Sequence, residues 1–379
     1  MRIRSRHGRS TCVQDPRGKT GKIAFVSDER RHGWRQAVSS WLRGDRIYEV
    51  RSFSPRTSPA TVSSRAPGKV ILSGEQFVVL GAPAVAMAIN LYSEIDVRPS
   101  QRGEIEVTAD IPLHLVSDAD KGASAANNQE LLEPLRLAAN ATLDHLATKE
   151  RGLHLDANCE IPIGAGLGSS ASTTVATISA VAKSRGIRLD RREIFKLAFI
   201  PENYLHGHPS GVDQATCTYG GIIQFRKPSK IKAINVKRPP TILVCDSGIH
   251  RSTKALVGSV VKRSRKQTDR FQTHQEEITT MSNAVVKALK TEDDNELGSL
   301  MNRNHELLRQ IGVSTPRLDM LVARAREAGA LGAKLTGAGG GGCIIALCAD
   351  KKTQSRIARE LRREGGTLYN VSLDKQGVY

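Results

Sequence analysis

No apolar run in this chain of 379 residues approaches the roughly 20 residues that a helix needs to cross a bilayer, so no membrane span is expected. Cysteine is sparse. The six, at positions 12, 159, 217, 245, 343 and 348, include no C-x-x-C pair and are too scattered for a disulfide framework or a zinc site; they read as reduced, intracellular thiols. Tryptophan is rarer still, with both copies, Trp34 and Trp41, in the first 61 residues, and no methionine lies between Met1 and Met87. There is no internal repeat. No Gly-Lys-Ser/Thr closes a Walker A loop, and Gly164, Gly166 and Gly168 are spaced two apart, so the third falls one position early for the dinucleotide fingerprint.

Acidic residues are in deficit, with 56 Lys and Arg against 38 Asp and Glu giving a net charge of +18. The excess is uneven: residues 1–65 hold 15 basic and 5 acidic side chains, more than half of it. The rest is moderately basic, as suits an enzyme handling anionic substrates. The basic segment has few aromatics and matches no nucleic-acid module, so nucleic acid is not an expected partner. It shows no sustained period of 2 or 3.6 beyond a short helical stretch over 34–42, and no apolar core of a secretion signal in its first 20 residues. Asp15, Asp28, Glu29 and Asp45 count against a transit peptide. Residues 1–61 are therefore expected to be a basic extension that is disordered or precedes a true start near Val62, and dispensable for catalysis.

What the chain does have is glycine in two special places. Lys-Leu-Thr-Gly-Ala-Gly-Gly-Gly-Gly-Cys at 334–343 leads straight into the apolar stretch 343–348, a buried strand. A flexible linker would not end so, and glycine at this density marks backbone at positive φ or approached closely by a ligand. Upstream, Pro-Ile-Gly-Ala-Gly-Leu-Gly-Ser-Ser-Ala-Ser at 162–172 follows a strand-like segment at 153–161 and opens a helix of small residues over 169–183, ended by Gly186. Glycines feeding a helix N-terminus leave free N–H groups at the positive end of the dipole, a cradle for phosphate.

Around these loops the pattern reads as α+β with mixed sheets. Strands are expected at 70–72, 77–80, within 94–107 and at 242–245, and helices over 131–147, 191–202, 262–289, 293–310 and 317–327. A last strand–helix–strand follows the glycine loop. Pro239-Pro240 marks a boundary.

The two loops and four further segments resemble the motifs of the GHMP-superfamily small-molecule kinases, in the family's order and over about residues 64–379. The four are Ala-Pro-Gly-Lys-Val-Ile-Leu-Ser-Gly-Glu at 66–75, the segment 202–213, Cys-Asp-Ser-Gly-Ile-His-Arg-Ser-Thr-Lys at 245–254, and Ile-Gly-Val-Ser-Thr-Pro-Arg-Leu-Asp at 311–319. Within the superfamily the likeness is strongest to the mevalonate kinases. The resemblance implies a two-domain GHMP kinase fold, with a ribosomal-S5-like N-terminal domain over 62–235 and a ferredoxin-like C-terminal domain over 236–379. It implies ATP- and Mg²⁺-dependent phosphorylation of mevalonate in the cytoplasm for isoprenoid synthesis, and leaves room for a homodimer.

The same resemblance distributes roles. Phosphorylating an alcohol needs a positioned hydroxyl, a group to take its proton, a metal on the phosphates and donors for the developing charge. Asp213 would be the base and Lys69 the cation holding it ionised. Glu202 and Ser170 would hold the magnesium, Ser169 being able to replace Ser170. Gly164, Ala165, Gly166, Leu167, Gly168, Ser169, Ser170 and Ala171, with Gly339 and Gly340, would hold the ATP phosphates. Glu75, Gln76 and Thr253 would face the substrate. Gln76 departs from the family's histidine, and Gln cannot carry a charge. Taken alone, Asp213 reads equally well as a turn residue and Ser170 as a helix cap. His206 and His208 flank Gly207 without companion ligands at metal spacing.

Overall fold

A computed structural model describes residues 23–24, 61–110, 125–207, 209–249 and 253–379. Its first sheet has seven strands: β1 (Ile23–Ala24), β2 (Val62–Ser73), β3 (Ala84–Pro99), β4 (Ile105–Asp110), β5 (Leu153–Cys159), β6 (Ile222–Arg226) and β7 (Lys230–Ile234). Long β3 organises it. β2 pairs antiparallel along one edge, while the other edge takes β5 at 93–99 and β6 at 84–87. β4 runs parallel to β5, β1 antiparallel to β4, and β7 antiparallel to β6. Helices α1 (Ala125–His145), α2 (Ser169–Ser184), α3 (Arg191–Leu197), α4 (Phe199–His206) and α5 (Val212–Tyr219) belong to this half. α2 is built of small residues and, apart from Thr173, is buried from Ala171 through Ala182, which lets its backbone lie close to β2.

The second sheet holds β8 (Thr241–Asp246), β9 (Gly332–Leu335), β10 (Cys343–Cys348) and β11 (Thr367–Asn370), all antiparallel, in the order β11-β8-β10-β9. That is the order of a β-α-β-β-α-β unit, the ferredoxin-like arrangement expected. Helices α6 (Thr253–Lys266), α7 (Thr268–Thr291), α8 (Asp294–Gln310), α9 (Pro316–Glu327) and α10 (Lys351–Arg363) accompany it. Local signals set their ends. Asp293, Thr315 and Asp350 each accept a backbone N–H of the first turn, and Pro316 follows its cap at N1, where its missing N–H costs nothing. In α10, Gln354, Ile357 and Leu361 form the buried stripe of an otherwise charged helix.

Three expectations change. Residues 77–80 are not a strand: Val78 N donates to Gly74 O at 3.0 Å and Leu80 N to Phe77 O at 3.0 Å, closing a turn. The stretch is apolar because Phe77 and Val78 each plug a hydrophobic cluster. The helix expected over 191–202 is divided between α3 and α4, since Pro201 cannot donate to the carbonyl of Leu197. The one expected over 262–289 is two, broken at Gln267 with φ −124° and ψ 53°. In the basic extension, Ile23 and Ala24 pair with β4, and Trp34 and Trp41 lie outside the described residues.

Two features join the halves. After β11 the chain returns to the first sheet, where Tyr379 exchanges backbone hydrogen bonds with Arg65, whose guanidinium lies 4.4 Å from the Tyr379 ring and 4.6 Å from that of Tyr92. Deeper inside, Lys334 of β9 reaches the turn after β2. Its Nζ donates to the Glu75 carboxylate, to Leu335 O at 2.8 Å and to Ile71 O at 3.3 Å. Three acceptors match the three N–H bonds of an ammonium, so the geometry calls for the charged pair. Burial pushes the Glu75 carboxyl up and the Lys334 ammonium down, and their mutual attraction opposes both shifts. Both side chains are fully buried, and removing one partner of such a pair costs about 3–5 kcal/mol. Lys334→Met should lower the free energy of urea unfolding by that amount, and adding Glu75→Leu should recover much of the loss. A single variant within 1 kcal/mol of wild type would show that the pair is not holding the halves together.

Candidate active site

The phosphate loop alternates. Gly164, Gly166, Gly168, Ser169 and Ser170 line a cavity of about 470 Å³, whereas Ala165, Leu167 and Ala171 are fully buried in the core. The core-facing residues tie the loop down, with Leu167 O accepting from Lys69 N at 2.8 Å and Ala165 O from Cys343 N at 3.1 Å. Gly168 is the N-cap of α2 at φ 81°, and no side chain caps this helix end. Ser170 is therefore not the cap that its position also suggested, and the first-turn N–H groups are left to an anion.

Gly168 also has no room for a side chain. A Cβ there would come within 2.9 Å of Lys69 Cγ. Lys69 is thus held beneath the loop, 1% exposed, donating to Gly166 O at 3.0 Å and paired with Asp213 Oδ1 at 3.0 Å. Asp213 sits in the first turn of α5 behind its N-cap Gly211, which stands at φ 96° against Phe199. Its side chain is 35% exposed and lines the cavity, so one face meets a buried cation and the other is open to a ligand.

Glu202, on α4, completes the acidic wall. It is 3% exposed and hydrogen-bonded to Ser170. Burial pushes its carboxyl up to about 8; the Asp213 charge adds to the rise, while Ser170 and Lys69 oppose it. A carboxylate and a hydroxyl side by side on a phosphate loop, with a second carboxylate near, are hard oxygen donors that suit magnesium, which keeps several waters. The residues fit that ion.

Not every expected residue reaches the cavity. Glu75 does not line it and is held by Lys334 instead. Gln76 does line it. From the second glycine loop the wall is made by Gly337 and Ala338; Gly339 and Gly340 turn to Val313, whose carbonyl takes Gly340 N at 2.8 Å. Thr253 opens α6, but its side chain, like that of His206 and all of His208, lies outside the described residues.

Three contributions had gone unassigned. Thr336 Oγ1 accepts from Ile71 N at 2.8 Å, stitching the second loop to β2. His305 accepts from Leu335 N at Nδ1 and faces Asp319 Oδ1 at 3.2 Å through Nε2. Burial pushes this imidazole down to about 4 against the pull of Asp319, so it stays neutral, and Ser314 and Arg309 secure Asp319 in turn. The third is apolar: Ala109, Leu132, Leu135 and Ala157 form a wall between α1 and the first sheet. The 334–343 run contains Thr336 and the Gly-Val-Ser-Thr-Pro-x-Leu-Asp motif contains Ser314 and Asp319, whereas neither motif pointed to His305 or the apolar wall.

Comparison with known proteins agrees with this architecture. The GHMP kinases N terminal domain matches residues 134–221, and the GHMP kinases C terminal domain residues 285–367. A mevalonate kinase of Thermococcus gammatolerans is 38% identical over 84% of this chain and 97% of its own length; one of Methanocaldococcus jannaschii is 34% identical over 81% and 98%. Among solved structures, L. major mevalonate kinase in complex with R-mevalonate superposes with a TM-score of 0.72 at 31% identity, covering 86% of this chain and 99% of that one.

The raised carboxyl of Glu202 has a measurable consequence. A carboxyl that holds its proton more tightly when folded stabilises the fold at low pH and loses that contribution as pH rises from about 4.5 through about 8. With chelator present, the melting temperature should therefore fall across that window, and Mg²⁺ should restore more of it at pH 8.5 than at pH 5.5. Glu202→Gln should flatten both responses. A wild-type profile as flat as the variant's would rule Glu202 out as a candidate magnesium ligand.

Proposed function

Since the chain belongs to the mevalonate kinases of the GHMP superfamily, we propose that it transfers the γ-phosphoryl group of ATP to the C5 hydroxyl of mevalonate at the cavity between its two glycine loops. The observation that carries this reading is the Asp213–Lys69 pair: a carboxylate anchored on a buried ammonium, its free face on the wall that an uncapped helix N-terminus also forms.

The residues divide the work. The hydroxyl donates to Asp213, which takes its proton as the oxygen attacks. Lys69 keeps that carboxylate ionised and stabilises negative charge growing on the oxygen. The α2 N–H groups and the glycines of the phosphate loop hold the phosphates without reorganising. The apolar wall at Leu132 and Leu135 suits the flat base of the nucleotide. Glu202 and Ser170 would hold Mg²⁺, which would neutralise charge on the phosphates. Residues 62–235 and 236–379 serve as the two domains, with 371–379 packing back on the first. The cytoplasm is the fitting compartment, because the five described cysteines are all free and buried.

A coupled ATP assay across mevalonate, phosphomevalonate, homoserine and galactose decides the acceptor. Mevalonate should be turned over fastest at matched concentrations; a faster rate on any of the others overturns the assignment. Asp213→Asn should lower kcat about 10²–10⁴-fold while nucleotide binding, followed by calorimetry, stays within a few-fold, because the amide cannot take the proton. An Asn variant close to wild type would make Asp213 a structural residue.

A further inference from the structure

Gln76 is held in an expensive position. Its φ of 64° lies in the left-handed region, where a residue with a long side chain is strained, and its side chain is 5% exposed while lining the cavity. Nε2 donates to Ala338 O at 2.6 Å. That contact settles which way round the amide lies, because a backbone carbonyl only accepts and must meet the nitrogen. The other end, Oε1, is a buried acceptor with no partner among the described residues. An unmatched acceptor and a strained backbone at one residue of a cavity wall are both unfavourable, and a ligand donor would satisfy the first.

The missing partner must carry a hydrogen. A carboxylate or a fully ionised phosphate has none to give and would be repelled. On the reading of the site as one for mevalonate, on which this inference rests, the substrate has two donors, the primary C5 hydroxyl and the tertiary C3 hydroxyl. The C5 hydroxyl is committed to Asp213. We propose that Gln76 is a specificity-determining residue that accepts a hydrogen bond from the C3 hydroxyl, so that this site selects a 3,5-dihydroxy acid over one hydroxylated at C5 alone. The amide does this without charge, its donor end anchored on the second glycine loop.

The test compares (R)-mevalonate with its 3-deoxy analogue, 5-hydroxy-3-methylpentanoate, on wild type, Gln76→Met and Gln76→Gly. Wild type should prefer mevalonate by about ten- to a hundredfold in kcat/KM, the range for leaving a buried acceptor unmatched. In both variants the preference should shrink to within about threefold, through loss on mevalonate and little change on the analogue. Gln76→Gly removes the left-handed strain, offsetting some of the packing it gives up, so one variant remains folded for the comparison. Equal losses on both substrates would reduce Gln76 to a brace for Ala338 and overturn the inference alone, as would a preference that survives in both variants. A wild-type protein that ignores mevalonate and phosphorylates another acceptor would overturn the inference together with the reading beneath it.

Discussion

The close approach of two glycine loops governs the rest of this structure. A Cβ on Gly337 would stand 2.8 Å from Gly166 Cα, and one on Gly166 would stand 2.9 Å from Thr336 O. Backbone meets backbone, so any side chain at either position would force the loops, and the two sheets that carry them, apart. The cavity lies along this seam. Its walls are atoms of both loops, and Lys69 is trapped below them because Gly168 leaves it room. The long apolar strands, the small-residue helix α2 and the returning C-terminal tail all help to hold that one contact in register.

Two lysines show how burial separates structure from chemistry. Lys334 is closed off with three acceptors and a fully buried carboxylate, so its charge is spent within the protein. Lys69 is almost as deeply buried, but its carboxylate partner is open to the cavity, and the pair keeps one face for a ligand. A buried ion pair is in general a poor source of net stability, since the desolvation penalty rivals the attraction. What the Glu75–Lys334 pair supplies here is position: it fixes the turn after β2, and with it Gln76, against the strand that leads into the second glycine loop. His305 and Asp319 do similar work from the far side, holding Ser314 and so the carbonyl of Val313 that receives Gly340.

Several local features could be read directly from residue order. The apolar run of β10 and the small-residue helix after the phosphate loop depend on neighbours within a few positions, and each formed where its pattern placed it. Asp213, Lys69, Ser170 and Glu202 were legible as chemistry for a related reason: glycine, proline and hydroxyl residues at fixed offsets constrain a short stretch of backbone, and their motif order matches that of a known family. The apolar stretch after Gly74 misled, because burial of Phe77 and Val78 in a turn leaves the same trace in a sequence as burial in a strand.

What the chain's order could not contain was which distant groups meet. Glu75 looked like a substrate ligand, yet it is paired with a lysine 259 positions away. Gly339 and Gly340 looked like phosphate ligands, yet they turn to Val313 while Gly337 and Ala338 face the cavity. Local pattern determined the elements, the glycine loops and the chemical inventory of the site, because propensity, capping and backbone freedom act over a few residues. Tertiary structure alone decided that Glu75 is closed off against Lys334 and that Gly337 and Ala338, not Gly339 and Gly340, line the cavity, because desolvation and pairing depend on the packing of both sheets at once.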